Sequence, residues 1–196
     1  MKSMKIHLLA FALLPMLAGC LGPAPKAPAN WIVEWTGPVS AEAPEPPKDA
    51  PTAKLLNLEV LAPYNGTRIA VLRGDGTLAF DSFNSFAAQP SSLLKGAAYD
   101  TIERSGVFSR TVRPGSSASA DYALEISVTR LALDCRSEGR LNASVALSVA
   151  LVGGRSVVST ARGEASVPAE GGNFSAAFSK AFEEALLEAV RLLKTK

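Results

Sequence analysis

Hydrophobic and polar residues alternate most regularly in the last third of the chain. Across residues 141–151 every second residue is apolar, and small residues lie between them. A period of two places the apolar side chains on one face of a half-buried antiparallel strand. The apolar positions of the next segment, residues 157–167, are also odd-numbered. If both apolar sets lie on one face, the numbers of any two paired residues must therefore sum to an even number. The sequence therefore predicts that a three-residue loop, residues 153–155, joins the two strands.

The strand expected immediately upstream changes phase in its middle. Leu124, Ile126 and Val128 form one apolar set, whereas Leu131 and Leu133 fall on the opposite face. Either a β-bulge restores the phase, or the two leucines form an outer apolar patch for a partner. Of these two interpretations we favour the bulge.

A first helix is indicated where apolar residues recur every four positions, in residues 91–106. We expect the hydroxyl of Ser91 or Ser92 to cap its start and Gly106 to end it. This spacing is typical of a short amphipathic helix that covers a sheet.

A second helix is expected after Asn173, whose side chain can cap it. Phe174, Phe178 and Phe182 lie at four-residue spacing, which predicts a stripe packed on the sheet and not a cofactor site. The charged residues of this segment, Glu183 among them, are expected largely on the solvent side.

The remaining elements precede these. Residues 54–63 and 107–112 read as strands, and residues 67–80 as a hairpin that turns at residues 74–76, Gly-Asp-Gly. The glycines supply the positive φ angles that a tight connection needs. Together the elements predict an α+β domain over residues 54–196, in which a mainly antiparallel β-sheet carries two helices on one face, preceded by a proline-rich tail.

The start of the chain has the form of an export signal. A short basic segment is followed by an apolar run that is too short to span a membrane. The run ends in Leu17, Ala18 and Gly19, followed directly by Cys20, and this tetrapeptide resembles the bacterial lipobox. In lipoproteins of that type the signal peptidase recognises these residues and removes the leader, here residues 1–19.

The lipobox resemblance implies a covalent anchor. The Cys20 thiol would carry a diacylglyceryl group and its freed amine a further acyl chain, enough for stable attachment. Leu21 stands where lipoproteins kept in the inner membrane usually carry Asp, which favours the outer membrane, facing the periplasm. The alternative is an ordinary cysteine near a plain signal cleavage site. No cofactor other than this lipid is expected.

Residues 20–53 form the expected lipidated tether. Proline is frequent in it and favours an extended spacer. Residues 31–35, Trp-Ile-Val-Glu-Trp, interrupt the spacer and predict a short aromatic strand that docks on the domain. An aromatic anchor at the membrane interface is the alternative.

Composition excludes several kinds of chemistry. Removing Lys2 and Lys5 with the leader takes the 20 basic residues to 18, against 18 acidic ones, so no basic field attracts nucleic acid. The single histidine, His7, also lies in the leader, which removes histidine-dependent catalysis and histidine metal sites. For Cys135 we expect a small buried hydrophobe at a strand end and not a reactive thiol. No catalytic residue and no metal ligand is predicted.

The order of these segments resembles one family. A lipobox, a short aromatic strand near Gly-Pro, a proline-rich spacer and the strand Arg68–Leu72 before a glycine-containing hairpin follow one another in it. The most specific match is residues 80–90, FDSFNSFAAQP, in which Phe86 stands where Trp is usual. On these features the chain is similar to the auxiliary lipoproteins of bacterial ABC-type lipid transport systems, including those of the paraquat-inducible type.

The resemblance implies a component of a complex and not an enzyme. Such lipoproteins accompany an inner-membrane ABC transporter and a protein with mammalian-cell-entry domains that carries lipids across the periplasm. This chain would then be an outer-membrane docking piece for that conduit. The candidate contact residues are Tyr64, Arg68, Arg73, Phe83 and Phe86. It stays open whether the two phenylalanines are core and the arginines solvated, and whether the chain forms a homo-oligomer.

Two other classes of function are open. Small α+β lipoprotein domains also assist other envelope machines, such as cell-wall synthases or polymer-secretion systems. An enzyme would need a nucleophile and a base from Ser, Lys, Asp and Glu alone, and no spacing of carboxylates points to one. We therefore expect a binding module.

Overall fold

The computed structural model describes residues 44–136, 140–169 and 173–194. The predicted leader, the lipidation residue Cys20 and the aromatic strand at residues 31–35 lie outside the described residues. Within the described ranges no helix is long and apolar enough to cross a membrane. In chain order the elements are β1 (Thr52–Val60), β2 (Arg68–Leu72), β3 (Leu78–Ser85), α1 (Pro90–Glu103), β4 (Arg110–Val112), β5 (Tyr122–Asp134), β6 (Asn142–Gly153), β7 (Ser156–Pro168) and α2 (Phe174–Leu192).

One sheet contains all seven described strands, with β5 at its centre. On one side of β5, β6 pairs with it in antiparallel orientation, and β7 pairs with β6 in the same way. On the other side β1 runs parallel to the first part of β5, and β2 runs parallel to its last part. Beyond them, β4 pairs with β1 in parallel orientation and β3 pairs with β2 in antiparallel orientation.

The α+β class is confirmed, but the sheet is mixed and not mainly antiparallel. Three of its six strand pairings are parallel, namely those that bring in β1, β2 and β4. Hydrophobic periodicity reports the face that a side chain occupies and says nothing about strand direction. Helix α1 lies in the connection that carries the chain from β3, at one end of the strand order β3-β2-β5-β1-β4, to β4 at the other end.

The change of phase in β5 is produced by a β-bulge, as favoured from the sequence. Val128 pairs with Leu147, but Arg130 pairs with Ala146, so Thr129 is the extra residue. The Thr129 hydroxyl donates a hydrogen bond to the Ala146 carbonyl at 3.2 Å. Downstream of the bulge the two leucines that seemed out of phase are only 3% exposed, so they belong to the core and form no outer patch.

The connection between β6 and β7 is shorter than predicted. Gly153 pairs with Ser156, which leaves a two-residue turn in which Gly154 has a φ of 63°. The predicted three-residue loop is therefore wrong. The numbers of paired residues nevertheless sum to an even number along most of the ladder, as for Val149 and Ala161. The reason is a bulge at Val158, which adds one residue and restores the phase.

Helix α1 begins one residue earlier than the serines that were expected to cap it. Pro90 occupies its first turn, and Gln89 at the N-cap makes no side-chain hydrogen bond, so the predicted serine cap is wrong. Proline suits this position because it has no N–H to satisfy and its φ is already helical. The helix ends at Glu103 with Arg104 as its C-cap, three residues before the predicted stop, and Gly106, with a φ of 70°, lies in the turn that follows. Only the last part of the strand expected after it forms, as β4.

Helix α2 lies directly on the apolar face of the sheet. Asn173 caps it as predicted, accepting a hydrogen bond from the Ala176 N–H at 3.3 Å. The side chains of Phe178 and Phe182 are fully buried in the same core that receives α1. The helix comes so close to β7 that a Cβ atom at Gly163 would collide with the backbone of Ala185.

One acidic residue of α2 departs from the predicted solvent side. Glu183 is 3% exposed, and its carboxylate accepts a hydrogen bond from the Arg104 guanidinium at 3.1 Å. This ion pair joins the end of α1 to the middle of α2. A helix-period pattern cannot reveal it, because the partner comes from a distant part of the chain.

Candidate functional site

The candidate contact residues separate into different environments. Phe86 is 4% exposed, and its ring packs edge-on against Phe178 with 5.7 Å between ring centroids. Phe86 therefore does not lie on the surface, which corrects its inclusion in the candidate set. Phe83 is 63% exposed, the largest exposure among the large apolar side chains of the described residues. Phe86 is therefore a core residue, whereas Phe83, three positions earlier in the chain, lies on the surface.

Phe83 is exposed because β3 departs from its ladder. Ala70 pairs with Phe80, yet Arg68 pairs with Ser85, so residues 81–84 stand opposite Ile69 alone. We call residues 81–84 the β3 bulge. A bulge of this length lifts its side chains out of the register that the pleat would otherwise impose.

The β3 bulge is held by one carboxylate. Asp81 Oδ1 accepts hydrogen bonds from the backbone N–H groups of Phe83 at 2.7 Å and Asn84 at 3.0 Å. Its Oδ2 accepts from the side-chain amide of Asn84 at 3.2 Å. Partial burial alone would raise the pKa of Asp81, but these hydrogen bonds and the nearby Arg68 charge outweigh burial and lower that pKa. Phe83 is therefore presented on a fixed backbone.

The turn between β2 and β3 is fixed in a similar way. Asp75 accepts hydrogen bonds from the Thr77 N–H at 2.9 Å and the Thr77 hydroxyl at 2.7 Å, which lower its pKa. The Arg73 N–H donates to the Thr77 carbonyl at 2.9 Å, and Gly76 has a φ of 82°. The predicted hairpin is thus confirmed, and the Arg73 side chain is exposed at its end.

Arg68 packs on the same hairpin. Its guanidinium carbon lies 5.3 Å from the centroid of the Phe80 ring, and its Nη2 donates to the Phe80 carbonyl at 3.5 Å. Such stacking holds the cation in place while leaving most of its donors at the surface. Leu78, on the adjacent strand, is 37% exposed. Arg68, Arg73, Leu78 and Phe83 together are called the hairpin surface below.

Tyr64 lies in the connection between β1 and β2 and not on the hairpin itself. It is half-buried and packs against the edge of the core. Its phenol lies near the Arg136 guanidinium, which forms a bidentate ion pair with Asp134 at 2.6 to 3.1 Å. We therefore do not count Tyr64 as part of the hairpin surface.

Cys135 is half-buried just after β5. Its N–H donates to the Leu72 carbonyl at 2.8 Å, which extends the pairing of β5 with β2 by one residue. Burial, with a smaller effect of the Asp134 charge, raises the pKa of the thiol. A raised pKa keeps the sulfur protonated near neutral pH, where it is a poor nucleophile.

The described residues hold no group of three or more His, Cys, Asp or Glu side chains that could bind a metal ion. A shallow groove of about 550 Å³ is lined by residues of β5, β6, β7 and α2, among them Thr129, Arg162 and Glu188. The Glu188 carboxylate accepts the Glu164 N–H at 3.0 Å and so caps a backbone donor on that edge. One backbone donor in this groove is therefore already satisfied within the protein.

Sequence reasoning missed Asp81, the residue that fixes Phe83. A signal was present, because Asp side chains commonly accept the backbone N–H two residues on. This signal lies inside residues 80–90, the segment that carries the family resemblance. Leu78 fits the apolar pattern of the hairpin, and that pattern gives no sign that it is exposed.

Comparison with known proteins bears on the whole described domain. A family model described as ABC-type transport auxiliary lipoprotein component matches residues 36–191. No curated protein sequence matches the chain significantly.

Two of the solved structures that resemble this chain, with TM-scores above 0.5, share its fold at low sequence identity. Protein XCC0632 from Xanthomonas campestris is 20% identical, with a TM-score of 0.61 over 84% of this chain and 90% of its own. The crystal structure of an uncharacterized protein is 9% identical, with a TM-score of 0.54 over 71% of this chain and 87% of its own. PelC from Paraburkholderia phytofirmans, crystallised as a dodecamer, is 15% identical, with a TM-score of 0.41 over 76% and 95%.

Proposed function

Because the chain belongs to the family of ABC-type transport auxiliary lipoprotein components, we propose that it is a lipid-anchored docking module of an intermembrane lipid transport system. The module sits on the outer membrane and faces the periplasm. It binds a protein with mammalian-cell-entry domains, and through that protein it serves the ABC transporter. Its role is recognition and not catalysis.

The anchor follows from the lipobox residues, Leu17, Ala18 and Gly19 before Cys20. A diacylglyceryl group on the thiol and an acyl chain on the amine would each bury many methylenes, at about 0.8 kcal/mol apiece. Backbone geometry limits the stretch from Cys20 to Pro44, the first described residue, to about 80 Å. The domain can therefore meet a partner well away from the leaflet that holds it.

The observation that carries the docking role is the presentation of Phe83. Phe83 is a large aromatic side chain, 63% exposed, on a bulge whose backbone Asp81 holds in place. Aromatic side chains and arginines dominate the binding energy of protein interfaces. A fixed backbone also reduces the conformational entropy lost on binding. The hairpin surface has both residue types.

Affinity purification of the full-length, lipidated protein from detergent-solubilised cell envelopes tests this function. We expect a mammalian-cell-entry-domain protein and ABC transporter subunits to copurify. We expect less recovery from Cys20→Ala cells, in which the protein leaves the membrane. Intact-mass measurement of the purified chain should show the added acyl chains.

Other outcomes would overturn the proposal. Copurification of a cell-wall synthase or a polymer-secretion component in place of the transporter would assign the protein to a different envelope machine. An unmodified Cys20 thiol in material purified from membranes would remove the anchor on which the docking geometry depends.

A further inference from the structure

We propose that one end of the domain rests on the anionic phospholipid leaflet that holds the anchor, through a surface where exposed apolar side chains lie among exposed cations. We call this surface the basic corner, and its residues are Arg155, Val157, Val158, Arg191, Leu192 and Lys194. It lies where the β6–β7 turn meets the end of α2. The contact rests on the proposed lipid anchor, and it gives the anchored domain a defined orientation.

The apolar side chains of the basic corner are exposed. Val157 and Leu192 are 60% and 59% exposed, and Val158 is 36% exposed. The two valines follow the turn between β6 and β7, and Leu192 is the last residue of α2. The Lys194 N–H donates to the Ser159 hydroxyl at 3.2 Å, which brings the two segments together. Apolar side chains at the end of a domain are suited to shallow insertion between lipid headgroups.

The charged side chains of the basic corner are all cations. Arg155 lies in the β6–β7 turn, Arg191 and Lys194 lie at the end of α2, and all three are exposed. None of them forms an ion pair or a side-chain hydrogen bond with a residue that the structure describes. Guanidinium and ammonium groups bind phosphate oxygens. On an anionic leaflet each such cation strengthens binding by about 5-fold.

The carboxylates around the basic corner do not cancel this charge. Eight basic and five acidic residues lie in the segments that meet at this end of the sheet, namely residues 44–54, 103–122, 152–159 and 188–194. Residues 20–196 as a whole contain 18 of each, so positive charge is concentrated at this end. Of the carboxylates here, Glu188 and Asp121 already accept backbone N–H groups, from Glu164 at 3.0 Å and Thr52 at 2.8 Å. An excess of positive charge therefore remains for an external anion.

The chain enters the domain at the same end, which favours a membrane as the source of that anion. Pro44, the first described residue, lies against Gly106, where an added Cβ atom would come within 2.6 Å of the proline ring. One row of paired residues crosses β4, β1, β5, β6 and β7 here. The pairs are Thr52 with Arg110, Ala53 with Tyr122, Ala123 with Val152, and Val152 with Val157. The start of β1 is therefore three strand spacings, about 15 Å, from the basic corner. The tether thus leads to the leaflet from the end of the domain that carries the basic corner.

With the basic corner on the leaflet, the turn of the first hairpin points away from it. That turn lies beside the far end of β5, because Leu72 pairs with Asp134. Strand β5 has 13 residues, so its two ends are about 40 Å apart. A partner protein can therefore reach the hairpin surface from the periplasm while the opposite end of the domain stays on the membrane.

Cosedimentation with lipid vesicles tests the leaflet contact. The protein is the chain without its leader, residues 20–196, with Cys20→Ser, so that binding does not depend on acyl chains. We expect it to bind phosphatidylcholine vesicles that contain about 30% phosphatidylglycerol about 10- to 100-fold more tightly than vesicles of phosphatidylcholine alone. About 0.5 M NaCl should remove most of this difference, because salt screens exposed charges.

Substitutions in the basic corner should weaken this binding. Replacement of Arg155, Arg191 and Lys194 together by glutamine should weaken it about 100-fold, which corresponds to about 5-fold for each charge. Val157→Ser combined with Leu192→Ser should weaken it about 10-fold, because the apolar side chains no longer insert.

The hairpin surface provides the matched controls. Its segment, residues 64–86, carries two arginines and two aspartates, so it has no excess charge to attract an anionic leaflet. Arg68→Gln combined with Arg73→Gln removes two exposed cations, and Phe83→Ser removes an exposed apolar side chain. Each control should change vesicle binding less than about 2-fold, because these residues lie beyond the screening length of about 8 Å from the basic corner. Far-ultraviolet circular dichroism of each variant checks that the domain is intact.

The outcomes distinguish the leaflet contact from the function beneath it. Equal vesicle binding by the triple glutamine variant and the chain without these substitutions would overturn the leaflet contact, as would the absence of binding to phosphatidylglycerol vesicles. In both cases the proposed docking function, judged by copurification, would stand. If the triple variant no longer copurifies the mammalian-cell-entry-domain protein but still binds vesicles normally, the basic corner contacts protein and the leaflet contact is overturned. Failure of copurification with normal vesicle binding would overturn the proposed function and leave the leaflet contact in place.

Discussion

Replacement of Gly163 by alanine measures how closely α2 approaches the sheet. The new Cβ would lie within collision distance of the Ala185 carbonyl and close to the Ala189 nitrogen. Both are backbone atoms of a helix whose phenylalanines are locked in the core, so no flexible side chain can move aside. Inserting a methyl group into such a contact typically costs about 1–3 kcal/mol.

The expected magnitude follows from two opposing effects. Alanine restricts the unfolded chain more than glycine does, which contributes about 0.4–1 kcal/mol in favour of folding. Taking the upper part of the overpacking range, because the obstacle is backbone, the net loss is about 2 kcal/mol. For a slope of about 2 kcal/mol per molar urea, the unfolding midpoint falls by about 1 M.

Gly96→Ala provides the control of opposite sign. Gly96 lies in α1 with nothing within 4 Å of an added Cβ, so alanine should stabilise the helix by about 0.5–1 kcal/mol. Urea unfolding of the chain without its first 20 residues, followed by circular dichroism, compares the variants. If Gly163→Ala is as stable as the unsubstituted chain while Gly96→Ala gains stability, the close packing of α2 on β7 is refuted.

Four further perturbations have expected outcomes. Glu183→Ala should lower the free energy of unfolding in urea by about 2–3 kcal/mol, because it leaves the largely buried Arg104 guanidinium without this carboxylate. Replacing the exposed Glu184 by alanine should lower it by less than about 0.5 kcal/mol. Equal losses would contradict the interior role of the Arg104–Glu183 pair. Glu188→Ala should lower the free energy of unfolding by about 1 kcal/mol, because the Glu164 N–H on the edge of β7 loses its acceptor. An unpaired donor on an edge strand should also increase light scattering on heating. Unchanged stability and scattering would argue against this role of Glu188. The pKa of Asp81 is lowered in the fold, so the stability that its carboxylate contributes is present above the unfolded pKa of about 3.9 and is lost as pH falls through the folded pKa. Between pH 4.5 and 2.5 the free energy of unfolding of the unsubstituted protein should therefore fall more steeply than that of Asp81→Asn. Parallel curves for the two proteins would contradict this. Cys135 has a raised pKa, so iodoacetamide should label it several-fold more slowly than glutathione at pH 7.5; equal rates would show a reactive thiolate.

Counting apolar positions was most successful where the pattern leaves a single solution. Leu131 and Leu133 could join the core only if one extra residue was inserted before them, and Thr129 is that residue. The same counting required an even sum between β6 and β7. It could not choose between a three-residue loop and a two-residue turn with a bulge at Val158, because both give the same parity.

Features that depend on residues far apart in the chain could not be predicted from the sequence. The parallel entry of β1 and β2 beside β5 is a matter of topology that periodicity does not encode. Glu183 follows the charged face of α2 by its spacing, yet Arg104 at the end of α1 draws it into the interior.

The sequence places the candidate contact residues around the first hairpin, but it does not determine which of them are exposed. Arg68, Arg73 and Phe83 lie on the first hairpin, and their role as contact residues stays a prediction. Which of the two phenylalanines faces solvent depends on residues 81–84, where four residues stand opposite one. A strand pattern with a period of two would place Phe83 and Phe86 on opposite faces, but it cannot say which of the two is covered by α2.

Photo-crosslinking in living cells from position 83 tests the central claim most directly. A photoreactive phenylalanine derivative at Phe83 replaces one exposed aromatic by another, and the same derivative at Leu56 reports contacts elsewhere on the surface. We expect position 83 to crosslink a mammalian-cell-entry-domain protein and position 56 to give no such product. Crosslinks from position 83 to lipid alone, or to a component of another envelope machine, would contradict a docking role in lipid transport.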